Sequence, residues 1–157
     1  MGSLAIPLAQ RGATVVASDI SEAMQTEAAK RAEAAGVAER ASFSTSDLEA
    51  LEGSYATVTC IDVMIHYPPD KMAEMVTHLG SIAEKRLIIS FAPDTWYYRL
   101  LKKIGELAPG PSKTTRAYLH PEEKVVSALE AAGFQISRTE MTGTNFYFSR
   151  LLEAVKA

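Results

Sequence analysis

Strand-like and helix-like patterns alternate along most of this chain, and that alternation restricts its fold. Apolar and β-branched runs at residues 14–18, 55–63 and 86–91 are separated by helical periodicity at residues 21–35 and 70–83. In α/β proteins, such an order gives strands that pair mostly in parallel, with helices on the faces of the sheet. The sequence therefore predicts a doubly wound, mostly parallel α/β sheet, in which residues 55–63 form a buried strand.

The rest of the chain fits this prediction. The remaining predicted elements are a helix ending before Gly12, a strand at 41–44, helices at 97–108 and 121–132, and strands at 134–141 and 144–154. The last two strands form a hairpin around a turn at Thr142 and Gly143, which adds antiparallel edge strands. The predicted apolar helix faces are Met24, Ala28, Ala32 and Ala35 in one helix, and Met72, Met75, Val76, Leu79, Ile82 and Ala83 in another. We predict a single domain over residues 1–157.

Composition narrows the class of protein. Of the 157 residues, 47% are hydrophobic and 22% are charged, which is typical of a soluble globular domain. The formal net charge of -3 argues against a nucleic-acid partner. Cys60 is the only cysteine, so the chain cannot form an internal disulfide. Three scattered histidines and one cysteine lack the spacing of metal ligands, so we predict no metal site.

Two acidic positions follow predicted strands and are candidates for nucleotide binding. Asp19 ends the strand at 14–18, and in nucleotide-binding α/β folds such an acidic residue accepts hydrogen bonds from a ribose diol. Asp47, with Ser46 before it and Leu48 after it, could accept from an adenine amine while Leu48 contacts the ring. The structural alternative is that Asp19 or Ser21 caps one helix and that Asp47 caps a helix at 48–51.

The segment 60–68 combines a strand-like start with polar and aromatic groups at its end. Near that end lies His66, and histidine is a residue type that often serves as a general acid or base; the following Tyr67, Pro68 and Pro69 force a sharp exit. Open α/β sheets bind ligands at the carboxyl ends of their strands, so His66 is a catalytic candidate. The alternative is a structural histidine at a strand end. His120 is predicted to cap the helix at 121–132.

Aromatic and basic side chains share the predicted helix that begins near Trp96. Trp96, Tyr97 and Tyr98 could contact a flat substrate, and Arg99, Lys102 and Lys103 could meet carboxylates or anionic lipid headgroups. The alternative is an ordinary surface helix with a solvated basic face.

Several stretches together resemble one enzyme family. They are residues 2–9, 17–21, 62–68, 91–93, 104–107, 109–113, 115–119 and 146–151. The first half is similar to class I S-adenosylmethionine-dependent methyltransferases in general. Gly-Pro-Ser-Lys at 110–113, Arg-Ala-Tyr-Leu at 116–119 and Phe-Tyr-Phe-Ser-Arg at 146–150 are more specific, and they resemble magnesium-protoporphyrin IX methyltransferases.

The resemblance implies a Rossmann-like sheet and a defined reaction. S-adenosylmethionine would methylate a propionate carboxylate of magnesium-protoporphyrin IX, in chlorophyll biosynthesis, and S-adenosylhomocysteine would be the product. The implied catalytic residue is His66. The cofactor candidates are Gly2, Ser3, Asp19, Ile20, Ser46, Asp47, Leu48 and Asp62, and the substrate candidates are Tyr67, Trp96, Tyr97, Tyr118 and Phe146.

The same resemblance implies a setting and a departure. It implies a chloroplast or cyanobacterial location, peripheral contact with a membrane, and substrate handover from magnesium chelatase. Relative to the family pattern, we expect the first strand, most of the glycine-rich loop and an N-terminal arm to be missing before Gly2. Two competing hypotheses are a methyltransferase for another flat apolar acceptor, such as a quinone precursor, and a non-catalytic methyltransferase-like fragment.

Overall fold

The structure, a computed structural model, describes residues 2–96, 118–143 and 148–157. Its contacts divide the chain into two compact units, Met1–Glu52 and Gly53–Ala157. The predicted helix at 97–108 and the basic residues Arg99, Lys102 and Lys103 lie outside the described residues. The single domain over residues 1–157 stays a prediction.

The first unit contains two helices and two parallel strands. Its elements are α1 (Ala5–Gln10), β1 (Val15–Asp19), α2 (Glu22–Ala34) and β2 (Ala41–Thr45). The strands are in register, with Val15 opposite Ala41 and Asp19 opposite Thr45. Both strands therefore end at the same edge of this small sheet.

Small apolar side chains form the core of the first unit. Ala9, Ala32, Val37 and Ala41 are buried together, with Ile6, Val15 and Phe43 against them. The predicted apolar face of α2 is confirmed at Ala28 and Ala32, which are buried. It is wrong at Met24, which is 42% exposed, and at Ala35, which is also exposed. Met24 lies in the first turn of α2 and Ala35 caps its C-terminal end, and neither belongs to the buried cluster.

The second unit is a mixed sheet with helices. Its elements are β3 (Tyr55–Cys60), α3 (Pro69–Ile82), β4 (Ala83–Phe91), α4 (Glu122–Ala131), β5 (Phe134–Gly143) and β6 (Phe148–Lys156). The strand order is β3-β4-β6-β5, with β3 parallel to β4 and the other neighbouring pairs antiparallel. The predicted fold class, α/β with parallel strands and an antiparallel C-terminal hairpin, is confirmed.

Periodicity in the sequence correctly marks the buried face of α3. The five residues of this predicted face that lie in α3 are buried, because α3 lies against β4 and α4. Ala83 is also buried, but it begins β4 and does not belong to the helix. Leu87, Ile89 and Phe91 on β4 are fully buried, as expected for a strand with neighbours on both sides. No helix among the described residues is both long and apolar enough to cross a membrane.

Three sequence predictions need correction in the second unit. The strand predicted at 55–63 ends at Cys60, because Asp62 adopts a positive φ of 59° that no strand accommodates. It is also only partly buried, since Ala56, Thr57 and Thr59 are exposed.

The sequence prediction is also wrong about the turn of the hairpin. Thr142 and Gly143 do not form its turn but continue β5, where they pair with Ser149 and Phe148. The hairpin also does not add two edge strands, because β6 lies between β4 and β5.

The third correction concerns His120. Pro121, not His120, occupies the position before the first turn of α4. The side chain of His120 is instead completely buried.

Candidate functional site

The carboxyl ends of β1 and β2 bring the first group of candidate residues together. Asp19 is the last residue of β1, and its carbonyl oxygen accepts a hydrogen bond from the Ser46 amide at 3.1 Å. Asp19 and the segment that begins at Ser46 are therefore neighbours at one edge of the sheet. This is the edge at which parallel α/β sheets bind ligands.

The carboxylate of Asp19 has a structural contact of its own. Its Oδ1 accepts a hydrogen bond from the Ser21 amide at 2.9 Å, and the Ser21 side chain in turn caps α2 by accepting from the Met24 amide. The capping alternative is thus realised through Ser21. An ionised carboxylate has about four acceptor positions, so this contact does not exhaust Asp19. Ile20, which follows it, is 77% exposed.

Asp47 and Leu48 follow β2 as the sequence predicts. The Asp47 carboxylate accepts a hydrogen bond from the Glu49 amide at 3.2 Å and caps a single 3₁₀ turn at Leu48–Ala50. This matches the capping alternative, although the element is one turn and not the helix expected at 48–51. Leu48 is half-buried. The carboxylate and the apolar side chain lie next to each other, as a site for an adenine edge and face would require.

Gly2 and Ser3 precede α1, at the start of the described chain. Gly2 has a φ of 66°, and a Cβ atom added there would lie 2.8 Å from Ile6 Cδ1. Its carbonyl oxygen accepts from the Ile6 amide at 3.0 Å. The positive φ therefore favours glycine at this position, and the tip of the Ile6 side chain lies where a Cβ atom would be.

In the second unit, Asp62 lies just beyond the end of β3 and is fixed by two serines. Its amide donates to Ser90 Oγ at 2.8 Å, and Ser90 Oγ donates to Asp62 Oδ1 at 3.0 Å. Ser149 Oγ donates to the same oxygen at 3.3 Å. Because Ser90 belongs to β4 and Ser149 to β6, two strands stabilise the rare backbone conformation of Asp62.

His66 ends a short 3₁₀ turn, Met64–His66, that follows Asp62. The amide of His66 donates to the Val63 carbonyl at 3.0 Å, and the amide of Tyr67 donates to the Met64 carbonyl at 3.1 Å. Met64 is buried, whereas His66 is exposed. The buried methionine anchors the turn and leaves the imidazole accessible to a ligand.

Two of the predicted aromatic substrate residues lie close to the His66 turn. Tyr67 directly follows it, and the amide of Tyr118 donates to the Ile65 carbonyl at 2.8 Å. Both residues are half-buried. Trp96 is 77% exposed. The other two candidates, Tyr97 and Phe146, lie outside the described residues.

Cys60 lies at the end of β3 and is not a nucleophile. Burial, reinforced by the nearby charge of Asp62, raises the pKa of its thiol to about 12. The thiol therefore stays protonated at neutral pH, whereas a reactive cysteine needs its thiolate form. Among the described residues, no three His, Cys, Asp or Glu side chains are grouped so that they could hold a metal ion.

Comparison with known proteins identifies the family. A family model described as "Magnesium-protoporphyrin IX methyltransferase C-terminus" matches residues 60–156, and one described as "Methyltransferase domain" matches residues 1–85. A magnesium-protoporphyrin O-methyltransferase from Synechocystis is 54% identical over 158 aligned residues that include 100% of this chain and 69% of the relative. The chain belongs to the magnesium-protoporphyrin IX methyltransferase family.

Two further similarities agree with this family. The chloroplastic magnesium protoporphyrin IX methyltransferase of Arabidopsis thaliana is 57% identical over 98% of this chain and 50% of its own length. The crystal structure of the Synechocystis PCC 6803 family member with bound S-adenosylhomocysteine has a TM-score of 0.89 at 51% identity, covering 99% of this chain and 70% of that one. The chain thus spans about half the length of the Arabidopsis relative.

Reasoning from residue types missed three residues that shape the site. Ser90 and Ser149 fix Asp62, and His120 contacts the Met64 carbonyl with its Nε2 at 2.9 Å. Ser90 is embedded in an apolar strand run and Ser149 lies in the family-specific Phe-Ser-Arg stretch. A polar residue inside an apolar strand was the one available signal, because buried polar groups need partners.

Proposed function

We propose that this chain transfers a methyl group from S-adenosylmethionine to a propionate carboxylate of magnesium-protoporphyrin IX, giving the monomethyl ester. The observation that carries the proposal is the family match over residues 60–156, which includes the His66 turn and the segment of Tyr118. The names of the relatives and the S-adenosylhomocysteine in the Synechocystis structure support the choice of acceptor and cofactor.

The cofactor side of the proposal rests on the edge where β1 and β2 end. Asp19 is exposed there, and its carboxylate can accept the two hydroxyl donors of a ribose. Asp47 would accept from the adenine amine, and Leu48 would contact the ring. Gly2, Ser3, Ile20 and Ser46 complete this part of the proposed contact set. Asp62 is a separate cofactor candidate that the family resemblance implies. An acceptor-rich edge fits the donor groups of this cofactor.

The reaction demands positioning more than strong base catalysis. When bound, the cofactor supplies an electrophilic methyl carbon, and the carboxylate oxygen bonds to it as the carbon–sulfur bond breaks and its electron pair returns to sulfur. A propionate is already ionised at neutral pH, so no strong base is needed. His66 would orient the carboxylate by a hydrogen bond, or accept a residual proton, while the site holds oxygen, carbon and sulfur in line.

The substrate side of the proposal uses flat side chains. Tyr67 and Tyr118 adjoin the His66 turn, and Trp96 presents an exposed indole ring. Aromatic rings can stack on a porphyrin plane at little cost in conformational entropy. Tyr97 and Phe146 belong to the same proposed set. The magnesium ion is part of the substrate, so no protein metal site is required.

The proposal includes a cellular setting. The chloroplastic Arabidopsis relative and the Synechocystis relative favour a chloroplast or cyanobacterial location. The proposal also includes peripheral membrane contact through Arg99, Lys102 and Lys103, and substrate handover from magnesium chelatase. Both would limit the time that the poorly soluble porphyrin spends in water.

The test compares His66→Ala with His78→Ala, a change in a histidine on α3 outside the proposed site. We expect kcat of this chain with magnesium-protoporphyrin IX to fall roughly 10²–10⁴-fold for His66→Ala, as for loss of an acid–base group. The Kd for S-adenosylhomocysteine should change less than about threefold, because His66 is proposed to act on the acceptor. His78→Ala should keep the wild-type kcat. Equal turnover by His66→Ala would refute the catalytic role.

A further inference from the structure

A buried histidine that the proposed reaction does not use touches the turn that carries His66. His120 is fully buried, and its Nε2 lies 2.9 Å from the Met64 carbonyl oxygen. A carbonyl oxygen can only accept a hydrogen bond, so Nε2 must carry the hydrogen and donate it. The contact with Met64 therefore determines which ring nitrogen of His120 carries the hydrogen and how the ring is oriented. The ring's Nδ1 is also buried and has no hydrogen-bond partner.

The contact is one of several hydrogen bonds that hold the turn Met64–His66. The Met64 carbonyl also accepts from the Tyr67 amide within the turn, and the next carbonyl, that of Ile65, accepts from the Tyr118 amide. The segment 118–120 therefore holds two successive carbonyl groups of the turn Met64–His66. With both carbonyls fixed, the backbone that carries the His66 imidazole has little freedom to rotate.

His120 is itself tied to the sheet. Its amide donates to the Ala92 carbonyl at 2.9 Å, and its carbonyl accepts from the Asp94 amide at 2.9 Å. Ala92 directly follows β4, the strand buried between β3 and β6. His120 thus connects the end of β4, through its backbone, to the turn that carries His66, through its imidazole.

We propose that His120 is a positioning residue for His66: it holds the Met64–His66 turn at the end of β4 so that the His66 imidazole meets the acceptor carboxylate. This inference rests on the proposed function insofar as His66 acts in catalysis. The physical reason is that a displacement of about 1 Å in a catalytic group can cost roughly a hundredfold in rate.

The first test separates the hydrogen bond from the bulk of the side chain. His120→Gln places an amide NH₂ near the former Nε2 and can donate to Met64, whereas His120→Leu cannot donate. We expect His120→Leu to lower kcat roughly ten- to hundredfold, with the KM for S-adenosylmethionine within about twofold of wild type. His120→Gln should recover most of that loss. Equal kcat in all three proteins would overturn the proposal, as would equal losses in both variants.

The second test needs no turnover. In His120→Leu, the amides of His66 and Tyr67 should exchange hydrogen at least about tenfold faster, while those of Ile89 and Leu152 in the sheet stay unchanged. Unchanged exchange at the turn, or faster exchange throughout the sheet, would contradict a positioning role.

A third measurement, on the wild-type chain, remains decisive if His120→Leu does not fold. The ¹⁵N spectrum of the histidine rings should show hydrogen on Nε2 of His120, and hydrogen on Nδ1 alone would overturn the proposal. If the wild-type chain turns over no porphyrin, the proposed function fails, whereas the exchange and ring measurements still decide whether His120 holds the turn.

Discussion

Asp62 illustrates at the scale of one residue how the site geometry is maintained. Its positive φ is uncommon for residues other than glycine, asparagine and aspartate, and it costs on the order of 1 kcal/mol even where the side chain tolerates it. Ser90, only 2% exposed, compensates by accepting from the Asp62 amide and donating to the Asp62 carboxylate. The bend after β3 therefore depends on a hydroxyl from the neighbouring strand.

Replacing that hydroxyl should destabilise the protein measurably. We expect Ser90→Ala to lower the free energy of unfolding by about 1–3 kcal/mol, because the amide and the carboxylate of Asp62 each lose a part-buried hydrogen bond. The matched control is Ser137→Ala, which removes one exposed hydrogen bond, from Ser137 Oγ to the Glu153 carbonyl, and should cost less than about 0.5 kcal/mol. Urea titration with an unchanged m-value measures both. Similar losses in the two variants would contradict the special role of Ser90.

Single residues also show where sequence reasoning succeeds. The sequence offers capping by Asp19 or Ser21 as an alternative, and the structure shows Ser21 as the cap, because its oxygen accepts from an amide only three residues away. The contact from His120 to Met64 spans 56 positions, and that from Ser149 to Asp62 spans 87. A pattern within a short stretch of sequence contains no signal for contacts between residues so far apart. The prediction that His120 caps the helix is therefore wrong.

At the scale of elements, one ion pair connects the final strand to a helix. Arg150 on β6 donates from Nε and Nη2 to both carboxylate oxygens of Glu122, at 2.8 and 3.1 Å, and Glu122 lies in the first turn of α4. The side chains are 28% and 36% exposed. This two-point contact ties β6 to α4 two residues after His120, so it also supports the segment that holds the His66 turn.

A double-mutant cycle can measure this connection. For Arg150→Met and Glu122→Gln we expect a coupling free energy of about 1 kcal/mol, because the geometry is bidentate and partly shielded from water. The matched control is the cycle for Arg138 and Glu140, a pair with side chains 67% and 53% exposed, where about 0–0.5 kcal/mol is expected. Raising the salt concentration should lower the coupling free energy of the exposed control pair more than that of Arg150 and Glu122. Equal coupling energies in the two cycles would refute the argument.

The elements also show why some boundaries were predicted and others were not. The period of apolar residues over 70–83 is sufficient to define α3, since its buried face repeats within the helix itself. The apolar residues Ile61 and Val63 extended the predicted strand too far, because strand propensity does not register the bend at Asp62. Thr142 and Gly143 looked like a turn, yet Gly143 continues β5. A Cβ atom there would lie 2.6 Å from Phe148 Cδ1, so glycine is required by a cross-strand contact.

At the scale of the whole molecule, the sequence predicts one cooperative domain over residues 1–157. If that prediction holds, scanning calorimetry should show one transition whose calorimetric and van't Hoff enthalpies agree. Two separate transitions, one for each compact unit, would contradict it. Whether the chain unfolds as one domain matters because it spans about half the length of its Arabidopsis relative.

The same instrument can test whether the chain as it stands binds the proposed cofactor product. S-adenosylhomocysteine at about one hundred times its Kd should add about 2.7 kcal/mol to the free energy of unfolding and raise the transition temperature.

Asp19→Asn keeps an Oδ1 that can accept from Ser21, so the turn before α2 is preserved, but it removes the charge offered to the ribose. We expect it to weaken binding roughly tenfold or more. The matched control is Glu39→Gln, which removes an exposed charge elsewhere in the first unit and should leave binding unchanged. A folded wild-type chain that shows no shift would refute cofactor binding by this chain, and equal shifts for Asp19→Asn and wild type would remove Asp19 from the site.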